Sequence, residues 1–197
     1  MPALRVSLDG TILVTISTSD FDVVHAGVSG SRMRGDPAEL EIHAARFGEN
    51  RETYVLAWAT EVAVLPGQTV SIAMLAQADT SPAGKTIEEL YREPLPGAST
   101  PKSMEQMLAE LAMQPLQHEG FAFRLDTGKG DAVAGKTSPD ELGFSLGVTW
   151  VPEQPERARI SLHTYTLQNL HGKKPMNYHR VEKMQCGDEI RFDMLAP

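Results

Sequence analysis

Residues 130–137 read GDAVAGKT and fit G-x-x-x-x-G-K-[ST] at every constrained position, the pattern of a loop that cradles nucleotide phosphates. Such a loop works when a buried strand delivers the chain to the first glycine and a helix starts at the lysine, so that free N–H groups face the phosphates. Neither flank provides this. Residues 126–129 separate the apolar GFAFRL (120–125) from Gly130, while Pro139 and Gly143 follow Thr137 and lead into GFSLGVTW (143–150), which reads as extended. A nucleotide fold would also alternate strands with helices and end another strand on a magnesium-binding Asp, and the sequence shows neither. The expectation is a glycine-rich turn. A nucleotide-binding protein using Lys136 and Thr137 stays as the alternative.

His163, His171 and His179 recur every eight residues, with Cys186 seven further on. Imidazole and thiolate are zinc ligands, but this spacing matches no zinc signature, and NLHGKKP (169–175) reads as a turn that would break a shared strand face. These four are the metal candidates; no metal or other cofactor is expected. His43 and His163 take matching places in the repeat described below, where a paired, pH-sensitive contact is conceivable. Cys186 is the only thiol, with no histidine or helix start beside it to lower its pKa. Asp20 and Asp22, and Asp126 and Asp131, lack the spacing of a calcium loop. No catalytic residue is assigned.

The formal charge of −8 over 197 residues argues against nucleic acid as the main partner, since that binding needs clustered Lys and Arg. The one basic candidate, HGKKPMNYHR (171–180), reads as a solvated loop. No stretch approaches the roughly 20 apolar residues of a membrane span. A single cysteine and an opening MPALRVSLDG without an apolar run set the expectation of a cytoplasmic protein.

Strands must carry these residues. RVSL and TILVTIS flank Asp9-Gly10, a hairpin signal; LEIHAARF, ETYVLAW and TVSIAML follow, with Val70, Ile72 and Met74 on one face. The middle turns helical: Thr86 and Glu89 suggest a capping box with Pro94 ending the helix, and Pro101 opens a second helix whose Met104, Met107, Leu108 and Leu111 form an apolar stripe predicted to pack on the sheet. GFAFRLD, LGFSLGVTW, RARISLHTYTL and DEIRFDML return to strand.

Shifting the chain by 120 residues lays 40–76 on 160–196 without a gap: Leu40 meets Ile160, His43 meets His163, Trp58 meets Tyr178, and MLA recurs in both. Upstream, VSLD (6–9) resembles FRLD (123–126) at an offset of 117. The predicted fold is mainly β with a helical insert (α+β), built on two duplicated sandwich-like units: a β unit over 1–80, a helical connector over 81–116 and a second β unit over 117–197. Whether the units share one core is left open by the sequence. The function expected is a non-enzymatic protein-binding module, an immunity, adaptor or accessory factor whose partner is another protein and whose edges and loops (48–54, 168–176) do the recognising. A self-assembling phage or secretion structural component is the third reading.

Overall fold

The computed structural model describes residues 1–34, 37–48, 53–90, 102–172 and 174–196. Asp9 and Gly10 hold φ of 50° and 79°, the left-handed pair that a two-residue hairpin needs. They join β1 (Ala3–Leu8) to β2 (Thr11–Ser17), as predicted. Runs of β-branched and apolar residues then form β3 (Val23–Ser31), β4 (Ala38–Phe47), β5 (Thr53–Val64) and β6 (Thr69–Leu75). A two-residue strand β7 (Lys85–Thr86) leads into helices α1 (Ile87–Leu90) and α2 (Met104–Met113). Strands resume as β8 (Ala122–Asp126), β9 (Val133–Lys136), β10 (Gly143–Trp150) and β11 (Arg157–Tyr165), followed by α3 (Leu167–Leu170), β12 (Asn177–Gln185) and β13 (Glu189–Leu195).

The strands form two antiparallel sheets, a six-stranded one in the order β2-β1-β6-β13-β8-β9 and a seven-stranded one in the order β12-β11-β10-β3-β4-β5-β7. One hydrophobic core lies between them, drawing on Leu4, Ile72 and Phe192 from the first sheet and on Val28, Leu40 and Trp150 from the second. The fold is mainly β with a small helical part. Alternation places Val70, Ile72 and Met74 of β6 fully inside. Phe123 and Phe192 of one sheet meet Phe144 of the other at ring-centroid distances of 5.2 and 5.6 Å.

Both sheets mix the two halves of the chain. Residues 1–80 supply β1, β2 and β6 to one sheet and β3 to β5 to the other; residues 117–197 supply β8, β9, β13 and β10 to β12. The boundaries read from the sequence therefore run through both sheets and the single core. The halves meet where β6 pairs with β13, Ser71 facing Arg191, and where β3 pairs with β10, Gly27 facing Gly147. In each facing pair the two residues stand 120 positions apart, the offset of the sequence match. The turns reciprocate: Gly67 N–H donates to Met194 O and Gly187 N–H to Met74 O, each at 2.7 Å. In the outer strands, Ala3 pairs with Leu75 and Ala122 with Leu195, which sets an offset of 119 rather than 117. A two-residue slip leaves every side chain on its own face, so the sequence match could not sense it.

The helical connector departs from expectation. Thr86 and Glu89 do cap α1, exchanging hydrogen bonds of 2.8 and 3.2 Å. Pro94 and Pro101 lie outside the described residues, and α2 starts at Met104 with Ser103 and Gln106 as its capping box. The methionine stripe is not core: Met104 and Met107 are 60% and 45% exposed, and of the stripe only Leu108 is buried. Nor is HGKKPMNYHR all loop, because Tyr178 and Arg180 belong to β12. Among the described residues no helix is long and apolar enough to cross a membrane.

Residues 80–86 close one open side of the sandwich. Ser81 exchanges backbone hydrogen bonds of 3.0 and 2.9 Å with Thr15 on the rim of the six-stranded sheet, and Lys85–Thr86 pair with Ala57–Leu56 of the seven-stranded one.

Phe192 touches Phe123 and Phe144 in the core, so Phe192→Ala is expected to cost about 3–5 kcal/mol. At roughly 2–4 °C per kcal/mol for a chain of this size, a thermal melt would show a fall of on the order of 10 °C.

Candidate functional site

The strap of residues 80–86 has an aromatic cleft behind it. Tyr54, Leu56 and Trp58 alternate along β5, and with Phe21, Gly84 and Thr86 they line a cleft of about 530 Å³ whose rim carries Asp20, Arg46 and Glu89. Trp58 is held rigidly. Its indole N–H donates to Pro82 O at 2.8 Å, and its ring meets Phe21 edge-on at 6.0 Å. A Cβ at Gly84 would stand 2.8 Å from the Trp58 ring, so glycine is what lets the strap lie against it. Tyr54 is 52% exposed. Sequence reading missed this group: the i, i+2, i+4 alternation of Tyr54, Leu56 and Trp58 marks a shared face, but Phe21 and the strap arrive from distant positions. Of the recognition loops expected at 48–54 and 168–176, residues 49–52 and 173 lie outside the described residues.

The phosphate-loop pattern sits in a different geometry. Residues 133–136 are β9, paired antiparallel with Leu125 through Ala122 of β8. Beyond Thr137 the chain turns and enters β10, so no helix begins at Lys136. Thr137 is buried; its N–H donates to Phe121 O at 2.9 Å and its hydroxyl accepts from Phe121 N–H at 2.9 Å. The corresponding place in the first half is held by Thr18, whose N–H and hydroxyl both donate to Pro2 O, at 3.0 and 2.9 Å. Thr137 thus closes a hairpin and is not turned toward a ligand, while Lys136 projects from an edge strand.

The histidine and cysteine candidates are spread over four places. His163 lies on the outer face of β11, His171 caps the C-terminus of α3, His179 lies on β12, and Cys186 is exposed in the turn before β13. Among the described residues no group of three or more His, Cys, Asp or Glu is placed to hold a metal ion. Nor do His43 and His163 touch one another. His43 stacks on His25, with centroids 4.9 Å apart, whereas His163 packs on Tyr178 at 5.3 Å.

A further polar cluster has the residue types of acid–base chemistry, with its Thr164 and Glu141 buried. The Thr164 hydroxyl, with no exposure, donates to Glu141 and accepts from Asn177 Nδ2 at 3.2 Å. Its single proton is thereby used, so the 3.1 Å contact with His179 Nε2 requires the histidine to donate. Burial alone would raise the Glu141 pKa; hydrogen bonds from Thr164, Ser138 and Asn177 outweigh it and hold the carboxyl below its usual range. Beside it the buried Arg32 guanidinium donates to the carbonyls of His118, Ser138, Pro139 and Glu141 at 3.1, 3.3, 2.8 and 3.0 Å. This network locks loops.

His25 lies flat over Gly27 and Gly147, where added Cβ atoms would stand 2.7 and 3.0 Å from its ring. Burial pushes its pKa down to about 4, with the neighbouring His43 adding to the shift. Burial lowers His43 and His163 as well. A histidine that is neutral when folded and ordinary when unfolded contributes full stability above pH 6.5 and loses it as pH falls toward 4. For His25 the loss is roughly 3 kcal/mol, so urea titrations at pH 7 and pH 4 should differ by at least that much, and less in His25→Gln. Magnesium ATP is expected to leave the melting temperatures of the native chain and of Lys136→Ala unmoved; a ligand at 100 times its dissociation constant would add about 2.7 kcal/mol.

Protein-family models, curated proteins and solved structures offer no match to this chain, so its own residues carry the functional reading.

Proposed function

We propose that this chain is a non-enzymatic protein-binding module, of the immunity, adaptor or accessory kind, which seats a segment of its partner in the cleft of Phe21, Tyr54 and Trp58. The observation that carries the reading is a pair of aromatic side chains already fixed in position, Trp58 tethered to Pro82 and braced by Phe21, with Tyr54 exposed in the same cleft. Tyr, Trp and Arg are the residue types that dominate binding hot spots. Groups fixed before binding lose little side-chain entropy when the partner arrives. Arg46 on one part of the rim and Asp20 and Glu89 on another give a partner polar contacts around an apolar centre. A reducing cytoplasm suits the single free thiol, Cys186. Duplication of one β unit is the proposed origin of the architecture, supported by the facing pairs Gly27–Gly147 and Ser71–Arg191.

The test is affinity capture from the native host, followed by titration of the captured protein. Tyr54→Ala and Arg46→Ala are each expected to weaken that binding by about 30-fold, as hot-spot truncations of 2 kcal/mol do, with the melting temperature kept. Lys136→Ala is expected to bind like the native chain. Equal affinity in the Tyr54 and Arg46 variants would remove the cleft from the binding site.

A further inference from the structure

At one corner of the seven-stranded sheet three cations surround a cavity on its outer face. Alternation puts them there: Ala158, Ile160 and Met184 are buried, so Arg157 and Arg159 of β11 and Lys183 of β12 face outward. Thr149, Arg159 and Lys183 form one row across β10, β11 and β12. Together with Arg157 and Val181 they line a cavity of about 280 Å³, and Val151 and Gln154 bring the turn between β10 and β11 into its wall. That turn is fixed in place. The Trp150 indole N–H donates to Pro155 O at 2.9 Å, Gln154 N–H to Val151 O at 3.2 Å and Arg157 N–H to Gln154 O at 2.9 Å.

The charge at this corner is unbalanced. Among the described residues Arg157, Arg159 and Lys183 form no ion pair. Arg159 and Lys183 are direct cross-strand partners, and like charges so placed destabilise a sheet. Glu182 borders the cavity as well, but alternation turns its side chain to the face of Met184, where its carboxylate lies 4.0 Å from Arg180. Glu153 and Glu156, in the turn itself, are not among the lining residues. A chain of formal charge −8 thus gathers three cations at a place where none of its described carboxylates pairs with them.

We propose that this cavity binds a phosphate monoester, with the phosphate between Arg157, Arg159 and Lys183. Guanidinium forks and an ammonium are the groups that hold phosphate oxygens. Such a phosphate brings about 1.5 to 2 negative charges at pH 7 and three acceptor oxygens; a carboxylate brings one charge and leaves most of the cluster uncompensated. Val151 and Val181 offer apolar contact to the esterified group. The size suits a small ligand, since ligand pockets run from roughly 300 Å³ upward. Nucleic acid needs an extended track of cations, which three at one corner do not provide. The site lies apart from the aromatic cleft and does not depend on the reading given to that cleft.

Titration of the nitrogen-15-labelled full chain with phenyl phosphate, followed through its backbone amide shifts, tests the proposal. Saturable shifts are expected at Thr149, Arg157, Arg159, Val181 and Lys183 with a dissociation constant below about 1 mM, and they should weaken as salt rises. Arg159→Gln/Lys183→Gln should lower the affinity by about ten-fold or more while keeping or raising the melting temperature, because the variant loses a like-charge pair. Arg124→Gln, exposed on the other sheet, should bind like the native chain. Tyr54→Ala should do the same, which separates this result from the outcome at the cleft. Phenylacetate, with a carboxylate in place of the phosphate, should bind about ten-fold more weakly or less. Glycerol 3-phosphate and an acetylated, amidated phosphoserine are titrated in parallel, and the tighter of the two assigns the phosphate to a free metabolite or to a modified side chain. No saturation by phenyl phosphate at about ten times that concentration, undiminished binding in the folded double variant, or equal binding of phenylacetate would each overturn the proposal.

Discussion

Contact between the inner faces of the two sheets is what every other feature depends on. Phe144 reaches across from the seven-stranded sheet to Phe123 and Phe192 of the six-stranded one, and Trp150, Leu40, Ile42 and Ile72 fill the space around them without exposure. Neither sheet can leave its apolar face in water, so each is the solvent shield of the other. Because the strands alternate, burying one set of side chains also fixes what appears outside. The cleft and the outward-facing His25–His43 pair are consequences of that choice of face.

The two halves of the chain are hydrogen-bonded to one another at both central strand pairs. At β6–β13 the turns exchange backbone hydrogen bonds, Gly67 to Met194 and Gly187 to Met74. At β3–β10 the absence of side chains at Gly27 and Gly147 makes room for the His25 ring. The open sides are handled differently. On one, the 80–86 strap ties β2 to β5 and in passing gives Trp58 its hydrogen-bond partner. On the other, Arg180 of β12 donates to Asp131 O at 2.7 Å, and the buried Arg32 gathers four carbonyls from the loops. A guanidinium buried without a carboxylate is tolerated because its Nε and Nη1 donors are met by carbonyls.

Polar residues that look chemical in sequence are absorbed into structure here. Thr137 completes a hairpin, Thr164 and Glu141 satisfy one another, and His179 rests against Phe123 while donating to Thr164. What stays outside is aromatic and charged, and on those groups the proposed binding rests.

Sequence by itself determined the strand-rich character, the Asp9-Gly10 hairpin, the Thr86–Glu89 cap and the buried stripe of Val70, Ile72 and Met74, because each depends on residues within one turn or one strand. It also carried the 120-residue correspondence, and the unsuitable flanks of GDAVAGKT were legible from Pro139 and Gly143. It misjudged α2, since helical periodicity reports an apolar stripe and not what covers it: Met104 and Met107 face solvent. Strands β3, β9 and β12 went unread because glycine in the first two and charge in the third weaken the local strand signal. Only the tertiary structure could decide that His43 meets His25 rather than His163, that Phe21 and Pro82 converge on Trp58, and that Glu41 and Arg159 share a face. Those are contacts between strands distant in sequence, and the order of strands in a sheet is set by the packing of the whole.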